Sequence, residues 1–177
     1  MRKLLIATVA LLLLSPISSA AEDEDIDETE TSWGSISSDD GFEKTFTIYS
    51  TQENAAYDDY GDAIEYTIEV QCSKRRLSVL VYGDPDIYPE TGLGFKGRAQ
   101  MKVDSGKITK HYFTTLKDYS GVAFNTPKTI TSAISKSKET FSFKIPSSIN
   151  ADAVMTFSKK NFNSYIVKFK ALGCSLK

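Results

Sequence analysis

Along much of this chain, apolar residues fall at every second position. Within Phe42 to Ser50, Phe46 and Ile48 alternate with Thr45, Thr47 and Tyr49. From Ile64 to Cys72, the apolar set Ile64, Tyr66, Ile68, Val70 and Cys72 alternates with polar residues. Period two is the signature of a strand with one buried face, so both runs predict strands and place Cys72 on the core side. Between them, Thr51 to Asp62 has the composition of a polar loop. Lys74-Arg75-Arg76 reads as a tight basic turn into a strand from Leu77 to Tyr82, which Gly83-Asp84-Pro85 ends; the two strands form a hairpin. Gly97 to Val103 and Lys107 to Thr115 flank Asp104-Ser105-Gly106, a short turn whose glycine can take positive φ, so a second hairpin is expected.

Val122-Ala123-Phe124 predicts a short strand. Pro127 after Thr126 reads as the first helical position after an N-cap, opening a brief helix through Ile130, Ala133 and Ile134. Phe141 and Phe143, then Ala153 to Phe157, supply the last strands. The period then changes: Phe162, Ile166, Phe169 and Leu172 or Cys174 recur at three and four, with Lys159, Lys160, Lys168 and Lys170 on other faces. This predicts an amphipathic helix ending at Gly173. The fold class is α+β, a mostly antiparallel sheet with a short helix and a C-terminal helix on one side.

Residues 1–20 stand apart from this pattern. Arg2 and Lys3 precede an apolar run from Leu4 to Leu14, and Ser18-Ser19-Ala20 offers the small residues that a signal peptidase cuts after. The run is too short to span a bilayer, which takes roughly 20 residues, so no integral membrane segment is expected after cleavage. Residue 21 is Ala and the first cysteine is Cys72, which argues against a lipid anchor. A periplasmic or secreted location follows.

Charge divides by position. Residues 21–40 hold nine acidic groups and no basic one, whereas residues 41–177 hold 14 acidic and 19 basic groups. The leader reads as a solvated, disordered spacer, with folding back onto the basic body as the alternative. Residues 41–177 are expected to form a single domain.

The cysteines Cys72 and Cys174 are even in number and lack C-x-x-C spacing. In an exported protein this argues for one structural bridge, with two free thiols as the alternative. Such a bridge would tie the C-terminus to an early strand.

Candidate chemistry is sparse. His111 is the sole histidine, lies in a predicted strand, and has no Gly-x-Ser-x-Gly elbow, so a packed or exposed strand histidine is the expectation. Asp84 and Asp86 flank Pro85 and are close enough for paired-carboxylate chemistry, but Gly-Asp-Pro-Asp reads first as a turn. Asp58, Asp59 and Asp62 lack the ligand ladder of an EF-hand loop. No enzyme, metal or cofactor is expected. Binding is the better-supported class: Lys74, Arg75, Arg76, Lys96, Arg98 and Lys102, with nine Tyr and one Trp in the chain, suit an acidic protein partner or anionic envelope material. Nucleic acid is not expected, since neither a recognition helix nor RNP-type aromatics are present. A second reading is a periplasmic inhibitor or immunity protein against a hydrolase or toxin. It would use the Gly83 to Gly97 loop, with Asp84, Asp86, Tyr88 and Glu90, as a plug.

The order of features over residues 33–174 resembles the VasI-like accessory proteins associated with type VI secretion systems. The resemblance rests on Trp33 after the export signal, Val70-Gln71-Cys72 closing a strand, and a basic residue and an Asp between Arg98 and Asp104. It continues through Ala123-Phe124, the Thr129 to Ile134 helix, and Phe157-Ser158 before a last helix closed by Cys174. It implies an exported, non-enzymatic accessory protein with a Cys72–Cys174 bridge.

Overall fold

A computed structural model describes residues 33–52, 56–57, 63–84, 94, 96–117, 120–146 and 152–176. The signal segment 1–20, leader residues 21–32 and the acidic-loop residues Asp58, Asp59 and Asp62 lie outside the described residues.

The elements are β1 (Gly34–Asp39), β2 (Lys44–Thr51), β3 (Ala56–Tyr57), β4 (Ala63–Ser73), β5 (Arg76–Asp84), β6 (Lys96–Val103), β7 (Thr109–Thr115), β8 (Gly121–Phe124), α1 (Pro127–Lys136), β9 (Thr140–Ile145), β10 (Ala153–Ser158) and α2 (Phe162–Ala171). Nine strands run side by side as β1-β2-β4-β5-β8-β7-β6-β9-β10, and β3 pairs with the start of β4. Every pairing is antiparallel. The α+β class and both hairpins are as the periodicity predicts.

The alternation in sequence becomes two sheet faces. Ile68, Val70, Cys72, Val79, Val81, Ala99, Met101, Phe113, Phe141 and Phe143 are buried on the inner face. Both helices lie against this face, α1 on β5 and α2 on β2, contributing Ile130 and Ile134 from α1 and Phe162, Ile166 and Phe169 from α2. The sheet curls until its ends meet, with β10 reaching β2. Trp33 closes the seam. Its indole N–H donates to the Ser158 carbonyl at 2.8 Å, and its own carbonyl accepts from the Tyr165 hydroxyl at 2.8 Å. The indole stacks with Phe141 and meets the Phe162 ring edge-on. Burying the indole with its N–H bonded avoids the cost of a stranded donor.

Helix α2 stops as its sequence dictates. Gly173 takes φ +80°, and the N–H groups of Gly173 and Cys174 donate to the carbonyls of Lys170 and Phe169. This Schellman closure turns the chain so that Cys174 meets Cys72 on the buried face of β4. The two form a disulfide with Cα atoms 6.1 Å apart, spanning 102 positions. On the chain-entropy argument, closing so long a loop costs the unfolded state about 4–5 kcal/mol.

Two local expectations differ from the structure. β1 lies within the stretch assigned to the acidic leader, so the sheet begins directly after Trp33 rather than at residue 41. In the β6–β7 turn Asp104, not Gly106, takes the left-handed conformation, with φ 48°. The reason is a carboxylate latch: Asp104 Oδ2 accepts from the Lys138 N–H, and Oδ1 accepts from the N–H groups of Glu139 and Thr140. Asp is one of the residues that tolerates this backbone region best.

Candidate functional site

The candidate residues that the structure brings together lie on the outer face of the sheet. On β6, Gly97, Ala99 and Met101 turn inward, leaving Lys96, Arg98 and Lys102 exposed outward. On β7, His111, Phe113 and Thr115 turn inward, leaving Lys110 and Tyr112 exposed outward. Lys144 projects from β9 in the same way. The register places Arg98 opposite Tyr112, and Gln100 between Lys110 on one side and Lys144 on the other. Arg98 and Lys102 are therefore both diagonal neighbours of Lys110, at the roughly 7–8 Å typical of such positions.

One interaction organises the middle of this patch. The Arg98 guanidinium donates to the Tyr112 hydroxyl at 2.8 Å, and its carbon lies 5.1 Å from the centre of the Tyr112 ring. Tyr112 is 51% exposed, so cation and ring form an open platform. Lys144 is neutralised by Asp152 at 2.7 Å. Among the described residues, no acidic side chain pairs with Lys96, Arg98, Lys102 or Lys110. The result is a cationic surface, stiffened by a two-strand hairpin and the β6–β9 pairing.

The first basic cluster predicted from sequence lies elsewhere and is partly structural. Lys74 and Arg75 form the two-residue turn between β4 and β5, both at positive φ, and Arg76 is already paired to Ser73. Lys74 bonds Glu43 at 2.8 Å. The aliphatic stem of Arg75 lies so close over Gly173 that a Cβ there would come within 3.1 Å of it. In the sheet order β8 and β7 stand between β5 and β6, so Lys74, Arg75 and Arg76 do not join Arg98. Asp84 ends β5, while Asp86 and Tyr88 lie outside the described residues.

Sequence reasoning missed Lys110, Tyr112 and Lys144 as members of the patch. The Asp104-Ser105-Gly106 turn carried a signal for the first two, because pairing the hairpin strands around it brings Lys110 and Tyr112 beside Arg98. Lys144 joins through a non-local pairing that no local pattern specifies.

His111 is packed rather than presented to solvent. Its Nε2 lies 2.9 Å from the Thr109 hydroxyl and its Nδ1 3.2 Å from the Thr126 hydroxyl, and burial lowers its pKa. Thr126 consequently caps α1 by position only; its hydroxyl serves His111 instead of a helix N–H. Among the described residues, no group of three His, Cys, Asp or Glu side chains is placed to hold a metal ion. None of the described helices is long and apolar enough to cross a membrane.

No family model and no curated protein matches the chain. Among solved structures, it is similar to the crystal structure of invasion associated protein B from Bartonella henselae, with 12% identity, a TM-score of 0.40, and coverage of 77% of this chain and 97% of that one.

Proposed function

We propose that the protein is an exported, non-enzymatic binding protein of the bacterial cell envelope. Its contact surface is the cationic outer face of β6 and β7, and its partner is an acidic protein or anionic envelope component. The observation that carries this reading is the run of outward cations without acidic partners, Lys96, Arg98, Lys102 and Lys110, around an exposed Tyr112. Crowded like charges cost a sheet stability, and packing the inner face does not require them. Such a field raises the encounter rate with an anionic partner and fixes its orientation. The signal-like N-terminus and the disulfide support a periplasmic or secreted location. The VasI-like order of motifs supports an accessory role beside a type VI secretion apparatus.

The test is capture from envelope extract by the oxidised protein, compared with an Arg98→Glu/Lys102→Glu/Lys110→Glu variant, with Lys74→Ala as the control. Recovery of secretion-apparatus or wall-associated material by the parent and control, with loss in the triple variant, is expected. Equal recovery by all three removes the cationic face as the contact surface. Recovery of a single hydrolase or toxin by all three favours the inhibitor reading.

A further inference from the structure

We propose that the acidic segment immediately before Trp33, residues 21–32, docks on the cationic face of β6 and β7 and competes with the external partner for it. This rests on the binding role assigned to that face. Between residues 22 and 30 the chain has seven acidic groups and no basic one, while the face opposite has cations that no described acid neutralises. The point of attachment is fixed: the indole of Trp33 is bonded to Ser158 at the end of β10, and its carbonyl to Tyr165. From β10 the order is β9, β6, β7, so the cations begin two strands away and end three strands away, about 15 Å across at ordinary strand spacing. Twelve residues reach about 40 Å when extended, ample for that path. The path begins at a hollow of mixed charge. Lys138 and Lys159, with Glu139, line the hollow beside Ser158, and Lys102 stands opposite Ser142 on the neighbouring β9.

Tethering decides the competition. A short tether holds its segment at an effective concentration of about millimolar, so even a weak electrostatic contact is populated until a tighter anion displaces it. Beyond about 8 Å the attraction is screened at physiological salt, so docking needs the acids close to the lysines. The leader then sets a threshold that excludes weakly anionic competitors and yields to a partner of higher charge density.

The test uses protein exported from its full sequence and fluorescent poly-L-glutamate as the anionic probe. In one variant every Glu and Asp between 22 and 30 is replaced by its amide. The neutral-leader variant is expected to bind the probe about tenfold more tightly than the parent at low salt, with the gap closing as salt rises. A synthetic peptide of residues 21–32 should displace the probe from the neutral-leader variant. Combining the neutral leader with Arg98→Glu/Lys102→Glu/Lys110→Glu should abolish binding. Equal affinity of parent and neutral-leader protein, both sensitive to the triple reversal, overturns the leader proposal alone. Binding that ignores the triple reversal overturns the leader proposal and the assignment of the face together.

Discussion

On β4 and β5 the outward polar side chains bond to one another, whereas on β6 and β7 they project charge into solvent. The Tyr82 hydroxyl donates to Glu69, and burial, followed by that hydrogen bond and charge, pushes its pKa well above the ordinary tyrosine range. Gln71 donates to Thr47 and accepts from Ser78, tying β2, β4 and β5 together. Glu65 and Glu69 place acidic groups on the outer face of β4, away from the basic turn. Two and three strands further along the same sheet, Lys110 on β7 and Lys96 and Lys102 on β6 have no such partners among the described residues, and among these Arg98 is held by Tyr112 alone. Both ends obey the same alternation, although the inner face of β7 also buries His111 and Thr115. The demands of folding therefore explain the first end and leave the second unexplained, which is why the second is the place to look for a partner.

The sharpest way to separate the two ends is to cut the disulfide. Cys72 lies on β4 and Cys174 follows α2, so the bridge staples the β4–β5 end to the helix that packs on β2. Reduction, or the Cys72→Ala/Cys174→Ala pair, is expected to lower unfolding free energy by about 4–5 kcal/mol, measured by urea titration. Hydrogen exchange should rise first in β2, β4 and α2, with the β6–β7 hairpin more protected. Uniform loss of protection would show that the two ends share one cooperative unit and are not separable.

Charge changes come next, and they should act oppositely at the two ends. Reversing Arg98, Lys102 and Lys110 to Glu is expected to reduce binding of an anionic probe at least about tenfold while shifting stability by no more than about 0.5 kcal/mol per site, because these are surface positions. Replacing Glu69 with Ala should leave binding unchanged and cost about 1 kcal/mol, since Tyr82 loses its acceptor. Thermal melts and probe titrations on both proteins test the pair. A stability loss on the basic side, or a binding loss on the β4–β5 side, would erase the distinction.

Acidification gives a smaller effect, in which two groups of the basic end take part. Burial holds the His111 pKa below its ordinary value of 6.5. The unfolded chain therefore takes up this proton more readily, so the His111 contribution is complete above about pH 6.5 and falls as pH drops through the lowered folded value. Asp104 titrates lower still. The N–H groups of Glu139, Lys138 and Thr140 hold its carboxyl below 3.8, so the latch contributes above that pH and is lost as pH falls through the folded value. Urea midpoints from pH 8 to 3 should show two declines; His111→Gln should remove the upper and Asp104→Asn should reduce the lower, to which Asp39 and Asp40 also contribute.

Sequence pattern carried the inside and outside of each strand, both hairpins, both helices and the disulfide, because each follows from local period or residue chemistry. It did not carry β1. Gly34–Asp39 has a single large apolar residue, Ile36, and that residue is 60% exposed, so an edge strand held by backbone pairing to β2 leaves no buried stripe to read. Nor did it carry β3, which is two residues long and lies inside a stretch of loop composition. The cationic face was half legible. Lys96, Arg98 and Lys102 alternate visibly, but their meeting with Lys110, Tyr112 and Lys144 depends on register. The basic turn was the more conspicuous cluster in sequence, and the structure spends much of it on Glu43 and Gly173.

That turn supplies the smallest effect and the most discriminating one. Lys74 and Arg75 take φ of 47° and 62°, a pair of left-handed residues of the kind two-residue hairpins usually fill with Asn-Gly. A lysine is strained there, while Asn tolerates the region. Against that gain stands the bond to Glu43, made by a Lys74 side chain 74% exposed to solvent, a kind of pair worth only about 0–1 kcal/mol. Lys74→Asn is therefore expected to leave stability unchanged or raise it by up to about 1 kcal/mol, read from the urea midpoint, with probe affinity untouched. If affinity fell severalfold while stability held, a strained cation at the β4–β5 turn would be retained for contact, and the partner would have to span both ends of the sheet rather than dock on β6 and β7.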